Sequence, residues 1–406
     1  MRQRTASVPL ANAGLYLVSA LLPNEGWGLR SEAQRRRDAG GTLMNALATQ
    51  IAAHIKERGP ISFAEFMHRA LYDPAHGYYN RSLQQIGRRG DFFTSVSVGP
   101  FFGELLAFQF ARWIEALLLK GENFDWDRKF QIVEAGAHSA QLAFDILETL
   151  EDSEPKLFAS LQYWIIEPSP ARRAVQQSML SRFSNVRWFE SPAEIHSRVN
   201  GVFFCNELLD AMPVHVFRWN AGLQFQFWSE MGVGFDGARL AWTPLAMPAM
   251  PPPELPKELL AVLPDGYTVE LTPAAKQWWG DAAVALARGK LMTIDYGGTF
   301  EELLSPSRAT GTLRAYSRHR LGSDILLNPG EQDITAHVNF SEIRRVGEAV
   351  NLRTETFTTQ SQFLTAIARK MWSRTGSWPQ HQVRQFQTLT HPEHLGRPFR
   401  VLVQSR

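Results

Sequence analysis

Phe130-Gln-Ile-Val-Glu134-Ala-Gly136-Ala-His138-Ser-Ala140-Gln141 decides the fold. A short apolar run with strand character enters a loop holding one glycine, and an apolar pattern of helical period follows over residues 141–150. Downstream the alternation repeats. Residues 163–167 read as a second strand, 170–180 as a helix, 186–189 as a third strand and 201–205 as a fourth. A helix over 273–287 precedes a fifth strand at 290–295. Strands and helices alternating at this spacing predict an α/β fold: a mostly parallel, doubly wound Rossmann-like sheet with helices on both faces.

Between the fourth and fifth strands lies an insertion at about residues 214–266. Its alternating segments (217–219, 224–228 and 239–242) flank Asn220-Ala-Gly222 and Asp236-Gly237. This predicts a small antiparallel meander, closed by a connection rich in proline (Pro248, Pro251, Pro252, Pro253). Upstream, residues 43–55 carry helical spacing that ends near Gly59-Pro60. Ser62 and Glu65 form a candidate capping box for a helix over 63–72. Residues 73–79 read as a turn, 87–99 as a loop and 100–119 as another helix. The expected organisation is a poorly ordered extension (1–45), a helical cover (46–128) and the Rossmann-like domain with its insertion (129–406).

Composition narrows the function classes. With 44% hydrophobic and 20% charged residues the chain reads as a soluble globular protein, and no apolar run reaches bilayer length. One cysteine, Cys205, excludes an internal disulfide and a cysteine-built zinc site, and its apolar surroundings mark a buried structural thiol. The eleven histidines show no paired ligand spacing, so no metal site is expected. Basic residues gather at both ends, six arginines against three acids in 1–45 and seven basic residues against Glu393 alone in 369–406. No aromatic-and-basic motif accompanies them, so nucleic acid is not an expected partner. The N-terminal stretch lacks the order of parts of a secretory signal, which favours cytoplasm, with an organelle (mitochondrial) matrix second. The oligomeric state is left open.

In a doubly wound sheet ligands bind beyond the carboxyl ends of the strands. Those ends carry Glu134-Ala-Gly136-Ala-His138, Glu167-Pro168, Asn206-Glu-Leu-Leu-Asp210 and Asp295-Tyr-Gly297. Gly136 would let backbone approach a ligand, Glu167 is placed to accept ribose hydroxyls, and the remaining acids suit a cationic tail. His138 is a candidate for capping the next helix or stacking on a base. A nicotinamide dinucleotide fits less well, because its glycine fingerprint is absent.

These residues, with Tyr72-Asp-Pro-Ala-His-Gly-Tyr-Tyr79, Gly90-Asp-Phe-Phe-Thr-Ser95, Phe102-Gly-Glu104, Asn206-Glu-Leu-Leu-Asp-Ala-Met-Pro-Val214, Thr312-Leu-Arg-Ala-Tyr316 and Asn328-Pro-Gly-Glu-Gln-Asp-Ile-Thr-Ala336, resemble the MidA family of class I methyltransferases. The likeness spans residues 51–403. It implies S-adenosyl-L-methionine as cofactor, held by Asp91, Phe93, Thr94, Ser95, Glu134, Gly136 and Glu167, with His138 and Pro168 added as cofactor-binding candidates from their place at the strand ends. It implies protein arginine N-methylation of a partner subunit, of the kind made during respiratory complex I assembly, with Asn206, Glu207 and Asp210 as catalytic residues. Glu207 and Asp210 would hold the guanidinium, positioned by Asn206. The family commonly shows Glu-Leu-Gly-Pro-Gly-Arg-Gly-Thr in the first loop, where this chain has His138 and Ala140 in place of two glycines. That departure gives a rival reading, a methyltransferase-fold assembly module with little or no turnover.

Overall fold

The computed structural model describes residues 44–81, 94–119, 129–195, 199–222, 226–317, 320–322 and 324–406. Chain order begins with helix α1 (Ala46–Arg58), the two-residue strand β1 (Ile61–Ser62), helix α2 (Phe63–Tyr72), the single turn α3 (Tyr78–Arg81) and the long helix α4 (Phe101–Leu119). Asn45 caps α1 by accepting from the Ala48 N–H at 2.9 Å. Ser62 likewise caps α2, but the expected box is half formed. Glu65 turns to Arg69, one turn on, at 2.6 Å, because a charged partner outcompetes the neutral N–H of the cap.

The doubly wound unit follows: β2 (Phe130–Ala135), α5 (Gln141–Ser153), α6 (Pro155–Ser160), β3 (Leu161–Ile166), α7 (Pro170–Met179), β4 (Val186–Phe189) and β5 (Val199–Asn206). The insertion adds β6 (His215–Ala221), β7 (Gln226–Phe235), β8 (Leu240–Pro244), the turn α8 (Lys257–Leu260) and β9 (Thr268–Leu271). Helix α9 (Pro273–Ala285) leads to the long strand β10 (Leu286–Gly298). Beyond α10 (Phe300–Leu303) come β11 (Arg314–Ser317), β12 (Arg320–Leu321), β13 (Asp333–Thr335), β14 (Val338–Asn339), α11 (Phe340–Ala349), β15 (Arg353–Thr359), α12 (Gln360–Thr375), α13 (Gln380–Thr390) and β16 (Phe399–Ser405).

The main sheet runs β15-β16-β10-β5-β2-β3-β4, with β14 extending the far end of β10. Parallel pairing holds from β10 to β4, and β16 alone runs against both its neighbours. The central strands β2, β3 and β5 read as largely apolar runs because both faces are covered. One face packs under α4, α5, α12 and α13, the other under α9 and α11. The Cys205 thiol lies fully buried in the second of these cores.

A second, antiparallel sheet (β1-β7-β6-β9, with β8 on β7) forms from the insertion together with the upstream strand β1. Residues read from sequence as one helical cover divide between two cores. Leu47, Ile51, Phe63, Phe66 and Leu71 of α1 and α2 pack with Val216, Met231 and Val233 of the antiparallel sheet, whereas α4 belongs to the core of the main sheet. The expected extension (1–45) lies almost wholly outside the described residues.

Candidate active site

Strands β2 and β5 are neighbours, yet the chain leaves β2 toward β3 and β5 toward β10, so the sheet order reverses between them. A crevice opens at such a switch point. Here it holds a cavity of about 1260 Å³. Among the described residues its lining carries seven carboxylate side chains (Glu134, Asp145, Glu167, Glu190, Glu207, Asp210, Asp333) and a single guanidinium, Arg172, with no lysine.

The first loop shows what the missing glycines do. Gly136, His138 and Ala140 all take left-handed backbone, at φ 75°, 48° and 65°. The conformation that favours glycine survives without it, at a cost of roughly 1–2 kcal/mol for each non-glycine residue. The loop is pinned from outside, where Gln176 Nε2 donates to the His138 carbonyl at 2.9 Å, and from within, where the Ala140 N–H donates to Ala137 O at 2.6 Å. His138 does not cap α5, whose N-cap is Ala140 with no side-chain acceptor. Its imidazole lines the cavity, and burial, with Arg172 nearby, lowers its pKa to about 3, so it is neutral. Glu134, at the strand end, accepts from the Tyr163 hydroxyl at 2.7 Å, and burial pushes its carboxyl up to about 7.

Glu167 is fixed on both oxygens. Oε1 accepts the Ser169 N–H at 3.0 Å, a contact allowed by the Pro168-Ser-Pro170 exit into α7, and Oε2 accepts Gln176 Nε2 at 3.1 Å. Gln176, fully buried, therefore joins Glu167 to the first loop, while its own carbonyl takes the Trp188 indole N–H at 3.0 Å.

On the other side of the switch, Glu207 sits at φ 53°. Its turn is held by a residue behind the cavity. Asp295, fully buried at the end of β10, accepts the N–H groups of Leu208 (3.1 Å), Leu209 (2.8 Å) and Tyr296 (2.9 Å). Asn206 Nδ2 donates to Glu207 Oε1 at 3.0 Å, and a backbone N–H from Ser95 also reaches this carboxylate. Burial, then the neighbouring Asp295 charge, still pushes Glu207 up to about 8. Asp210 too is raised well above its ordinary value, by burial and by Asp295, Asp333 and Glu207 around it. Tyr72 donates to the Ala211 carbonyl at 2.9 Å and Tyr79 to Asp333 Oδ1 at 2.8 Å, closing this end.

Of the residues singled out from sequence, Thr94, Glu134, Gly136, His138, Glu167, Pro168, Asn206, Glu207 and Asp210 all line the one cavity. Ser95 does not. It is buried behind the wall, its hydroxyl bonded to Gln360 Oε1 at 3.1 Å, and it reaches the site only through its N–H. Asp91 and Phe93 lie outside the described residues. Sequence reasoning passed over Tyr72, Tyr79, Arg172, Gln176 and Asp333. Three of them stand inside motifs it quoted, Tyr72–Tyr79 and 328–336. Arg172 and Gln176 face inward from an ordinary helix and leave no signal.

Comparison with known proteins adds what geometry alone does not name. Residues 105–358 match the family described as S-adenosyl-L-methionine-dependent methyltransferases. This chain belongs to that family. A superfamily member from Burkholderia thailandensis, crystallised bound to S-adenosyl-homocysteine, is 30% identical, with a TM-score of 0.73 over 89% of this chain and 92% of that one. The mouse protein arginine methyltransferase NDUFAF7, mitochondrial, is 28% identical over 84% of this chain and 76% of its own length. Its human counterpart of the same name is 28% identical over 72% and 67%.

The protein is thus an S-adenosyl-L-methionine-dependent methyltransferase. Its site fits that cofactor on its own chemistry. A cavity so rich in acids suits a ligand carrying a sulfonium and an ammonium, and opposes the pyrophosphate of a dinucleotide. The uncapped first-turn N–H groups of α5, where Gln141 and Leu142 line the cavity, suit the carboxylate of the methionine end. The left-handed first loop keeps its shape despite His138 and Ala140.

Proposed function

We propose that the enzyme methylates an arginine nitrogen of a partner protein. One observation carries the reading: Glu207, Asp210 and Asp333 gather at one end of the cavity, with Asp295 behind them. A pocket of this charge suits a permanently cationic, multi-donor group, and a guanidinium presents five N–H donors in a fixed plane. The names of the curated relatives support it, and their mitochondrial designation supports the matrix alternative for location. A respiratory-complex subunit is the first partner to test.

In this reading Glu134, Gly136, His138, Glu167 and Pro168, with Thr94 above them, hold the cofactor, and Glu167 accepts the ribose hydroxyls. The bound cofactor supplies an electrophilic methyl group, activated by its sulfonium. What the chain supplies is alignment and exclusion of water. Glu207 and Asp210 hold the guanidinium so that one nitrogen faces the methyl group, and Asn206 fixes Glu207 through its amide. The proton lost from the methylated nitrogen passes to a carboxylate of this set, whose raised affinity for protons suits it as acceptor.

The test is methyl transfer to the partner subunit, with the modified residue located by mass spectrometry. Glu207→Gln should lower kcat/KM by about 30-fold or more, the loss of about 2 kcal/mol expected when one member of an enclosed charge pair is neutralised. In the wild type, kcat/KM should rise with pH up to at least about 8, because the free enzyme's Glu207, and Asp210 beside it, must ionise first. Methylation found on a residue other than arginine, or full activity in the variant, would sink the proposal.

A further inference from the structure

We propose that Tyr79 is a positioning residue that ties the cofactor loop to the target pocket, so that binding of the cofactor and binding of the target cation strengthen each other. The inference rests on the arginine reading above and extends it to how the two ends of the cavity communicate.

Tyr79 has three handles. Its hydroxyl donates to Asp333 Oδ1 at 2.8 Å in the target pocket. Its carbonyl accepts both Nε and Nη2 of Arg172, at 2.9 and 2.6 Å, and the same guanidinium stands 5.2 Å from its ring centroid. Arg172 is the one guanidinium lining the cavity among the described residues, and its charge acts on Glu167. Asn80, the next residue, provides a parallel connection. Its Oδ1 accepts the Ser169 hydroxyl at 3.1 Å, and the Ser169 N–H binds Glu167 at 3.0 Å.

The strand bearing Asp333 is seated against the same turn. Gly330 takes φ 85°, and a Cβ there would stand 2.2 Å from the His76 carbonyl oxygen. Asn45 Nδ2 donates to Pro329 O at 3.0 Å from the start of α1. A single turn of chain therefore touches the loop of Glu167 on one side and the segment of Asp333 on the other. A ligand that orders the Glu167–Arg172 loop also orders the Tyr79 backbone, and with it the hydroxyl that aims Asp333. The second ligand then has less freedom left to remove, which makes the effect reciprocal.

The experiment uses S-adenosyl-homocysteine and the amide of the peptide Gly-Gly-Arg-Gly-Gly as a guanidinium probe, with dissociation constants read by titration in the full-length protein. In the wild type, saturating S-adenosyl-homocysteine should tighten peptide binding about fivefold or more, and the peptide should tighten S-adenosyl-homocysteine by the same factor. Tyr79→Phe should bring that factor to about one while both ligands still bind singly. Arg172→Lys, which keeps the charge and loses the two-pronged grip on the carbonyl, should reduce it from the other side. Asp333→Asn should weaken the peptide with or without S-adenosyl-homocysteine. Full coupling in Tyr79→Phe and Arg172→Lys overturns the inference alone. Failure of the wild-type complex to bind the peptide overturns the arginine reading, and the inference with it.

Discussion

The two turns that meet at the switch point solve one problem by different means. The first loop, Glu134 to Ala140, and the second, Asn206 to Asp210, both put non-glycine residues into left-handed backbone beside the ligand space. In the second, a buried carboxylate does the holding: Asp295 accepts three backbone N–H groups and so dictates where Glu207 stands. In the first, no carboxylate among the described residues grips the backbone. A neutral amide, Gln176, takes one carbonyl, backbone bonds from Gly136 to Ile166 O and from Ala140 to Ala137 O add two more ties, and packing does the rest. The lesson is that a backbone shape can outlast the residues that favour it, provided its surroundings over-determine it. The second turn is held strongly at one point, the first weakly at several.

The contrast can be broken most severely at Asp295. Replacing it by Asn leaves at least one buried N–H without an acceptor, a loss of about 1–3 kcal/mol in stability by denaturant titration. Turnover should fall about 100-fold, because displacement of Glu207 misaligns the target. Near-normal turnover would show that the second turn holds itself.

A smaller effect is expected at Gln176. Gln176→Leu removes its hydrogen bonds to the His138 carbonyl and to Glu167, and S-adenosyl-homocysteine affinity should drop about tenfold in calorimetry. Unchanged affinity would mean that backbone bonds and packing alone shape the first loop. The smallest change is His138→Gly. Relief of left-handed strain, partly offset by the greater freedom of glycine in the unfolded chain, should stabilise the protein by about 0.5–1 kcal/mol. A destabilised variant would mean that the imidazole contributes packing that outweighs the strain.

Much of this was legible in the residues. The five parallel strands stand where apolar runs between turn signals put them, since strands buried on both faces carry their signature in composition. The antiparallel pair β15 and β16 did not announce itself. β15 reads Arg353-Thr-Glu-Thr-Phe-Thr-Thr359, with one large apolar residue, and takes its place only because β16 offers it an edge. For the site, residues at strand ends were readable because the topology sends ligands there. Asp295 was seen at a strand end, but its task is to hold a neighbouring turn, which depends on a contact 86 or 87 residues away in sequence. Tyr79 and Asp333, 254 residues apart, meet for the same kind of reason. Contacts of that range leave no periodic trace.

The shared core of α1, α2 and the antiparallel sheet has a consequence for the chain as it is made. Helix α2 ends at Tyr72, and the sheet it rests on is complete only when β9 emerges at Thr268–Leu271. At roughly 5–20 residues per second, the apolar faces of the first two helices wait about 10–40 s for their complete partner, while the parallel sheet between them begins to form. During that interval Phe63, Phe66 and Leu71, all fully buried in the finished enzyme, are open to any passing apolar surface. The ribosome thus releases α1 and α2 long before they can be put away, and the nascent chain is where a chaperone has most to do.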